Sequence, residues 1–444
     1  MFKRTLIQQI KDIDKTFPVL LVTGPRQVGK TTLLEMCADD QRNYVTLDDL
    51  QQRELARNDP ALFLQSHKTP LIIDEVQYAP ELFSAIKLIV DREKKNGLFW
   101  LTGSQKFHLM QGITESLAGR VAIIDLLGLS QAEIEDRATA STPFMPTPDW
   151  INRAGQQIDE PELLEDVYQK IWRGSFPALW ATENASDEGI DDSSGNGSGE
   201  GAGAGNPDGS GYGYKRAAYS EVSRDLFYKS YVQTYIQRDV RDRVNITDDT
   251  AFNRFLGAVA ARTGQLLNYS DMARDVDIDH KTAKSWLSVL EASGLVYLLQ
   301  PYYRNVTKRL VKTPKVYFLD TGLCSYLTQW PSPKSLEAGA MSGMILETYL
   351  FSEILKSYWH NGKTPHFYYY RDTDQREVDL VIETGEGLYP VEFKKTASPS
   401  KSASKHFHVL GKLTKNIGHG AVICFVEKDV PLSREVTAIP VGYL

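Results

Sequence analysis

The stretch Leu20–Thr32 constrains this chain more than any other. It reads Leu-Leu-Val-Thr-Gly-Pro-Arg-Gln-Val-Gly-Lys-Thr-Thr, and Gly24, Gly29, Lys30 and Thr31 fit the phosphate-loop spacing G-x-x-x-x-G-K-[ST]. In front of it, Val19-Leu20-Leu21-Val22 is a short apolar run of the kind that forms a buried parallel strand. Behind it, Thr32-Leu33-Leu34-Glu35-Met36 opens a helical pattern. The residue types follow from the chemistry. A polyphosphate needs several backbone N–H groups converging on one place, and a side chain there blocks the approach. Gly24 and Gly29 allow the tight wrap, and the helix start adds its positive end. Gly24, Pro25, Arg26, Gln27, Val28, Gly29, Lys30, Thr31 and Thr32 are therefore the expected phosphate cradle. Lys30 is expected on the β- and γ-phosphates and the Thr31 hydroxyl on Mg²⁺.

A second motif follows. Pro70-Leu71-Ile72-Ile73-Asp74-Glu75 is an apolar strand that ends in two carboxylates. Ligands of open α/β sheets sit at the carboxyl ends of strands. Asp74 is placed to hold Mg²⁺ and Glu75 to orient and deprotonate a water. Leu98–Gln105 is a further strand ending in small polar residues, of which Ser104 or Gln105 can sense a γ-phosphate. Arg120 precedes the strand Val121–Leu126. It is a candidate for an arginine finger acting on a neighbouring subunit, or for a structural salt bridge.

These elements together resemble the AAA superfamily of ATPases. Gly24–Thr31, Asp74-Glu75-Val76-Gln77, Thr102-Gly103-Ser104-Gln105 and Leu117-Ala118-Gly119-Arg120 are similar to one group in particular. Its members are bacterial and archaeal AAA-type ATPases that carry a C-terminal domain of unknown function. The resemblance implies a five-stranded sheet, Asp74-Glu75 as the Walker B pair, and Mg-ATP as ligand. It also makes Trp172–Pro177 similar to the family's Gly-Phe-Pro element, with Arg173 near the nucleotide or packed on the surface.

A chain of 444 residues is expected to form two or three domains. The net charge of −7 argues against a wholly basic nucleic-acid binder, though not against a local basic patch. Cys37, Cys324 and Cys424 lie far apart and imply neither a metal pair nor a disulfide framework, which suits a reducing cytoplasm. Gln8, Gln9, Lys11 and Asp12 interrupt any signal peptide after Met1–Arg4. No apolar run approaches the roughly 20 residues of a membrane span, so no membrane partner is expected.

Residues 1–135 are expected to form the AAA-type domain and 136–250 a helical lid or connector. Ser130 is read as a helix cap, with Glu133 as its capping-box partner. The segment 187–214 is almost entirely Gly, Ser, Asn and Asp and reads as a flexible insertion. Tyr228, Tyr231, Val232, Tyr235 and Ile236 form a helical stripe, followed by Arg238, Arg241 and Arg243.

Residues 251–330 read as a winged helix. Ser270 is the expected cap of one short helix, and His280–Leu290 forms the next. His280, Lys281 and Lys284 would face a DNA groove, the lysines on phosphates. Arg304, Lys308, Arg309, Lys312 and Lys315 lie where a wing belongs. Such a module serves DNA binding or protein binding.

Residues 331–444 resemble the restriction-endonuclease-like fold. Glu347 lies on a helix, Asp379 on a strand, and Glu392 and Lys394 alternate on another strand. The resemblance brings them to one site. There Asp379 and Glu392 hold Mg²⁺ and Lys394 stabilises charge, in an active site or in a silent version of it. The expected fold class is thus α/β: an AAA-type P-loop parallel sheet with helices, then a winged helix and a restriction-endonuclease-like α/β domain. Three functions stay open. The first is an ATPase acting at DNA, with or without cleavage. The second is a nucleotide-controlled switch for a protein partner, with the nuclease-like site silent. The third is a binding module whose ATP site is structural. A homo-oligomer is implied only if Arg120 acts in trans.

Overall fold

A computed structural model describes residues 1–104, 109, 112–113, 115–158, 160–180, 221–236, 248–303 and 313–444; within 221–236 it describes the side chains of 224–234. Gln105, the stretch 187–214, Arg238, Arg241, Arg243, Arg304, Lys308, Arg309 and Lys312 lie outside the described residues.

The N-terminal part is a five-stranded parallel sheet. Its strands are β1 (Val19–Thr23), β2 (Asn43–Thr46), β3 (Leu71–Asp74), β4 (Phe99–Gly103) and β5 (Val121–Asp125), in the order β2-β3-β4-β1-β5. β1 pairs in parallel with β4 on one side and β5 on the other, so the loop at its carboxyl end emerges near the middle. The strands are apolar throughout because both faces are covered. Leu20 and Val22 face α1 (Leu6–Thr16) and α2 (Lys30–Cys37), while Val19 and Leu21 face the opposite core. That second core is built with α3 (Leu50–Asn58), α4 (Pro60–Ser66) and α5 (Leu82–Glu93). This split is the period-two alternation of a strand.

Among the described residues four connecting α-helices follow: α6 (Gln131–Ile134), α7 (Pro148–Gly155), α8 (Leu164–Arg173) and α9 (Glu221–Tyr231). Ser130 and Glu133 form the expected capping box on α6. Tyr228, Tyr231 and Val232 are buried, as the stripe requires.

Next come α10 (Asp249–Ala260), β6 (Gln265–Leu266), α11 (Tyr269–Val276), α12 (His280–Ala292), β7 (Val296–Leu299) and β8 (Lys315–Phe318). The strands form an antiparallel sheet ordered β6-β8-β7. The cap of α11 is Asn268, not Ser270: its side chain accepts from the Ser270 and Asp271 amides. Asp277 and Gly294, both at positive φ, turn the chain after α11 and α12.

Helices α13 (Thr321–Leu327), α14 (Pro333–Ala338) and α15 (Ser342–Trp359) lead into a mixed sheet. Its strands are β9 (Phe367–Arg371), β10 (Glu377–Glu383), β11 (Leu388–Phe393), β12 (Gly420–Cys424), β13 (Val430–Pro431) and β14 (Val436–Pro440), ordered β13-β14-β12-β11-β10-β9. Most of α15 is buried, as its apolar composition on every face demands. One continuous apolar core includes Leu20 and Ile124 of the first sheet, Phe252 and Leu287 of the helical module, and Leu350 and Ile354 of α15. The expected divisions near 135, 250 and 330 therefore mark changes of sequence, while packing continues across them. Among the described residues no helix is long and apolar enough to cross a membrane.

Candidate functional site

The nucleotide loop begins where β1 stops. Gly24 has φ +142°, and a Cβ there would lie 2.0 Å from the Leu126 carbonyl oxygen just past β5, so the position admits only glycine. Gln27 and Gly29 carry the loop round in left-handed backbone (φ +62° and +91°), and Lys30 opens α2. Lys30 is buried, and its Nζ donates to the carbonyls of Gly24 at 3.1 Å and Pro25 at 2.8 Å. The ammonium is thus held at the loop by carbonyl oxygens, which phosphate oxygens can replace with stronger, charge-assisted bonds.

β3 delivers Asp74 beside α2. Thr31 Oγ1 donates to Asp74 Oδ1 at 2.6 Å, and Thr102 Oγ1 of β4 donates to the same oxygen. On the other oxygen, Tyr44 OH donates at 3.3 Å and Thr46 Oγ1 at 3.5 Å. A hydroxyl and a carboxylate side by side are a hard oxygen donor pair that fits Mg²⁺. Glu75 sits in left-handed backbone at φ +56°, an uncommon conformation for a residue of its type and one that clusters at functional sites. Its amide donates to Thr102 Oγ1 at 3.0 Å. Gln77 Nε2 donates to Glu75 Oε2, and Ser104 Oγ donates to the same oxygen at 3.5 Å. The Glu75 carboxylate is therefore aimed by two neighbours. Tyr44 and Thr46 complete this site without having been singled out in the sequence, whereas Thr102 and Gln77 lay within the motifs that carry the resemblance. The signal for Tyr44 and Thr46 was position alone: both lie on β2, the strand that pairs with β3.

A cavity of about 360 Å³ opens along the first turn of α2, walled by Phe2, Gly29, Thr32, Leu33, Met36 and Trp180. Trp180 is fixed by its Nε1, which donates to the Gly174 carbonyl at 2.8 Å, and by the Arg173 guanidinium 4.5 Å over its ring.

Arg120 does not join the site of its own chain. Its carbonyl accepts from the Val19 amide, so it lies at the start of β1, about 16 Å of strand away from the loop. Its guanidinium clasps Asp91 through Nε at 2.6 Å and Nη2 at 3.0 Å. The salt-bridge alternative is what the geometry displays.

His280, Lys281 and Lys284 are exposed on the first turns of α12. Asp271, Asp275, Asp277 and Asp279 lie on or just after α11, so the surface beside them is not uniformly basic. Lys315 departs from expectation. It is 3% exposed on β8, with Nζ 2.9 Å from Glu347 and 2.5 Å from Glu377, rather than on a wing surface.

Glu347, Asp379, Glu392 and Lys394 share one electrostatic neighbourhood. Glu347 is engaged by Lys315 and by Tyr317 OH at 2.6 Å. Burial, then the nearby Asp379 charge, push the Glu392 carboxyl up to about 8, against the opposing pull of Lys394 at 2.6 Å. Burial likewise raises Glu347 to about 7, with Lys315 opposing. Asp379 Oδ2 accepts from the Phe393 amide at 3.0 Å. Among the described residues no group of three acidic, histidine or cysteine side chains is arranged to hold a metal ion. Cys424 is a buried core residue and its thiol is raised to about 11 by burial.

Three family models match the chain. Residues 16–135 match the AAA domain, residues 213–334 a domain of unknown function (DUF8612), and residues 342–444 a second domain of unknown function (DUF4143). Uncharacterized proteins of Mycobacterium bovis and Mycobacterium tuberculosis are each 26% identical over 431 residues, covering 95% of this chain and 80% of theirs. Among solved structures, the Walker-type ATPase of Pyrococcus abyssi is similar at 13% identity and a TM-score of 0.41, over 72% of this chain and 94% of that one. The Holliday junction branch migration motor RuvB of Thermotoga maritima is similar at 14% identity and a TM-score of 0.25, over 66% and 85% respectively. With its phosphate loop and five-stranded parallel sheet the N-terminal part carries an AAA domain, and the C-terminal part carries the DUF4143 domain of unknown function.

Proposed function

We propose that the chain binds Mg-ATP at residues 24–32 and hydrolyses it, and that nucleotide state governs the C-terminal half. The observation that carries this reading is the convergence of Thr31, Asp74 and Glu75 beside the buried Lys30. The loop amides take the phosphates, and Lys30 exchanges its carbonyl partners for phosphate oxygens. The base and ribose occupy the cavity between Met36 and Trp180. Thr31 and Asp74 would hold Mg²⁺, which when bound neutralises phosphate charge. Glu75, aimed by Gln77 and Ser104, accepts the proton of the attacking water. Phosphate release by wild type, Glu75→Gln and Lys30→Ala tests the reading. Glu75→Gln is expected to bind ATP as wild type does and to lose turnover about 10²–10⁴-fold. Lys30→Ala is expected to lose binding. Tight ATP binding by Lys30→Ala, or unchanged turnover by Glu75→Gln, refutes the assignment.

For the C-terminal half, the exposed His280, Lys281 and Lys284 support DNA as the partner of α12. The switch reading, with a silent nuclease-like site, is favoured by a different observation. Lys315 and Tyr317 already neutralise Glu347 from within the fold. Cleavage of single- and double-stranded DNA with Mg²⁺ or Mn²⁺, with and without ATP, separates the two. Cleavage that disappears in Asp379→Ala plus Lys394→Ala establishes a nuclease. No cleavage beside intact ATP turnover establishes the switch.

A further inference from the structure

The nucleotide loop is held from behind by a buried network that ends in the C-terminal domain. Arg4 lies just ahead of α1 and is 6% exposed. Its Nη1 donates to the Val28 carbonyl, inside the loop, at 3.0 Å. Its Nη2 donates to the Leu127 carbonyl, beyond β5, at 2.9 Å. Its Nε lies 3.1 Å from Glu133 Oε1. The same Glu133 oxygen lies 3.2 Å from Nδ1 of His360, the residue that caps α15. The Leu127 amide donates to His360 Nε2 at 3.3 Å, which leaves Nδ1 as the protonated ring nitrogen beside Glu133; like Arg4 Nε, it lies within ion-pair distance of that carboxylate without a hydrogen bond to it.

The charges are consistent with this arrangement. Burial lowers the His360 pKa, with Glu133 opposing. Against the rise that burial imposes, Arg4 and His360 hold the Glu133 carboxyl far below its usual range. Two further contacts bind α15 to the same segment. The Gln131 amide donates to Glu353 Oε2 at 2.7 Å, and Lys356 Nζ donates to the Leu129 carbonyl at 2.9 Å.

We propose that Arg4 is a positioning residue for the nucleotide loop, and that His360 of the C-terminal domain sets its aim through Glu133. The proposal rests on the ATP reading above. Arg4 bonds a loop carbonyl and also lines the cavity assigned to base and ribose, so the positioning role is read from His360, which lines no part of that cavity. Without that positioning, the loop must be ordered during binding, and affinity falls by that amount. Asp74, Glu75 and Ser104 are untouched, so turnover at saturation is preserved. By linkage, nucleotide binding tightens the contact with α15 by the same factor.

The test uses the full chain, a fluorescent ATP analogue, steady-state turnover and thermal melting, with Arg4→Lys, His360→Phe, His360→Asn and Lys30→Ala. Arg4→Lys and His360→Phe are expected to raise Kd and KM about 10-fold while kcat stays within about twofold. His360→Asn keeps a donor toward Glu133 and is expected to recover most of the loss. A folded His360→Phe that binds like wild type overturns the proposal. So does a lowered melting temperature with unchanged Kd, which would make the network structural only. If wild type and Lys30→Ala both fail to bind, the ATP reading falls and takes this proposal with it. If wild type binds and Lys30→Ala does not, an unaffected His360→Phe counts against the proposal alone.

Discussion

Replacing Glu392 by glutamine should change how the protein's stability responds to pH. Glu392 is 7% exposed; Lys394 bonds its Oε1, and its Oε2 has no hydrogen-bond partner among the described residues. Burial and Asp379 raise its carboxyl from 4.5 to about 8. The unfolded chain releases that proton near the ordinary glutamate value, and the folded chain keeps it until about pH 8. Between those limits the folded state binds the extra proton, so stability falls as pH rises. The contribution is fully present below the unfolded value and gone above about pH 8. At about 1.4 kcal/mol per pH unit the whole effect is about 3–5 kcal/mol. Glutamine matches the shape of the protonated acid, offers Lys394 an acceptor and does not titrate. Glu392→Gln should therefore match wild type near pH 5 and exceed it by about 3–5 kcal/mol near pH 9. Urea denaturation of the full chain across that range, at fixed ionic strength, measures the difference. Glu347 interacts with Glu392, so both proteins carry Glu347→Gln in this comparison. A difference that stays constant with pH, or a variant weaker than wild type near pH 9, refutes the reasoning.

Two further outcomes follow from the geometry. Gly24→Ala should abolish nucleotide binding and lower stability by about 2–4 kcal/mol, because the new Cβ meets a backbone oxygen that no side-chain motion can clear; ordinary ATP affinity in the purified variant would contradict this. Lys281→Ala with Lys284→Ala should flatten the slope of log affinity against log salt for duplex DNA by about 2; an unaltered slope removes α12 from any DNA contact.

The nucleotide loop was legible because phosphate binding is local. Contiguous residues do the work, and flanking strand and helix patterns confirm the frame. Asp74, Glu75 and Ser104 were legible because strand ends in a parallel sheet gather at one edge. The same rule places Arg120 at the other edge, since it precedes its strand instead of ending it. Lys315 was misread because a lysine near a basic stretch looks solvated. Its alternation with Tyr317 puts both on one face, and that face meets Glu347. Arg4, Glu133 and His360 carried no usable signal. Arg4 and His360 are 356 positions apart in the chain, and Glu133 already had a sufficient local explanation as a cap.

Helix α15 gives that network its consequence. Its first half carries Glu347, which meets Lys315 and Tyr317, and its end carries His360, which meets Glu133. Thirteen helical steps separate the two, about 20 Å. The helix is buried along most of its length, so it moves as one piece or not at all. The nucleotide loop also touches the three-helix module: a Cβ on Gly294, just after α12, would lie 3.1 Å from the Pro25 ring. Pro25 is one of the two carbonyl partners that Lys30 gives up on the reading above. The loop therefore bears on α12 through Pro25 and on α15 through Val28 and Arg4. The loop's buried residues, Pro25 and Val28, lie on the side that faces these two elements. A rearrangement on that side bears on the turn that follows the exposed His280, Lys281 and Lys284 and on the helix that carries Glu347. Whatever the C-terminal half acts on, its activity has to be measured with the nucleotide site empty and filled, because the same packing serves both.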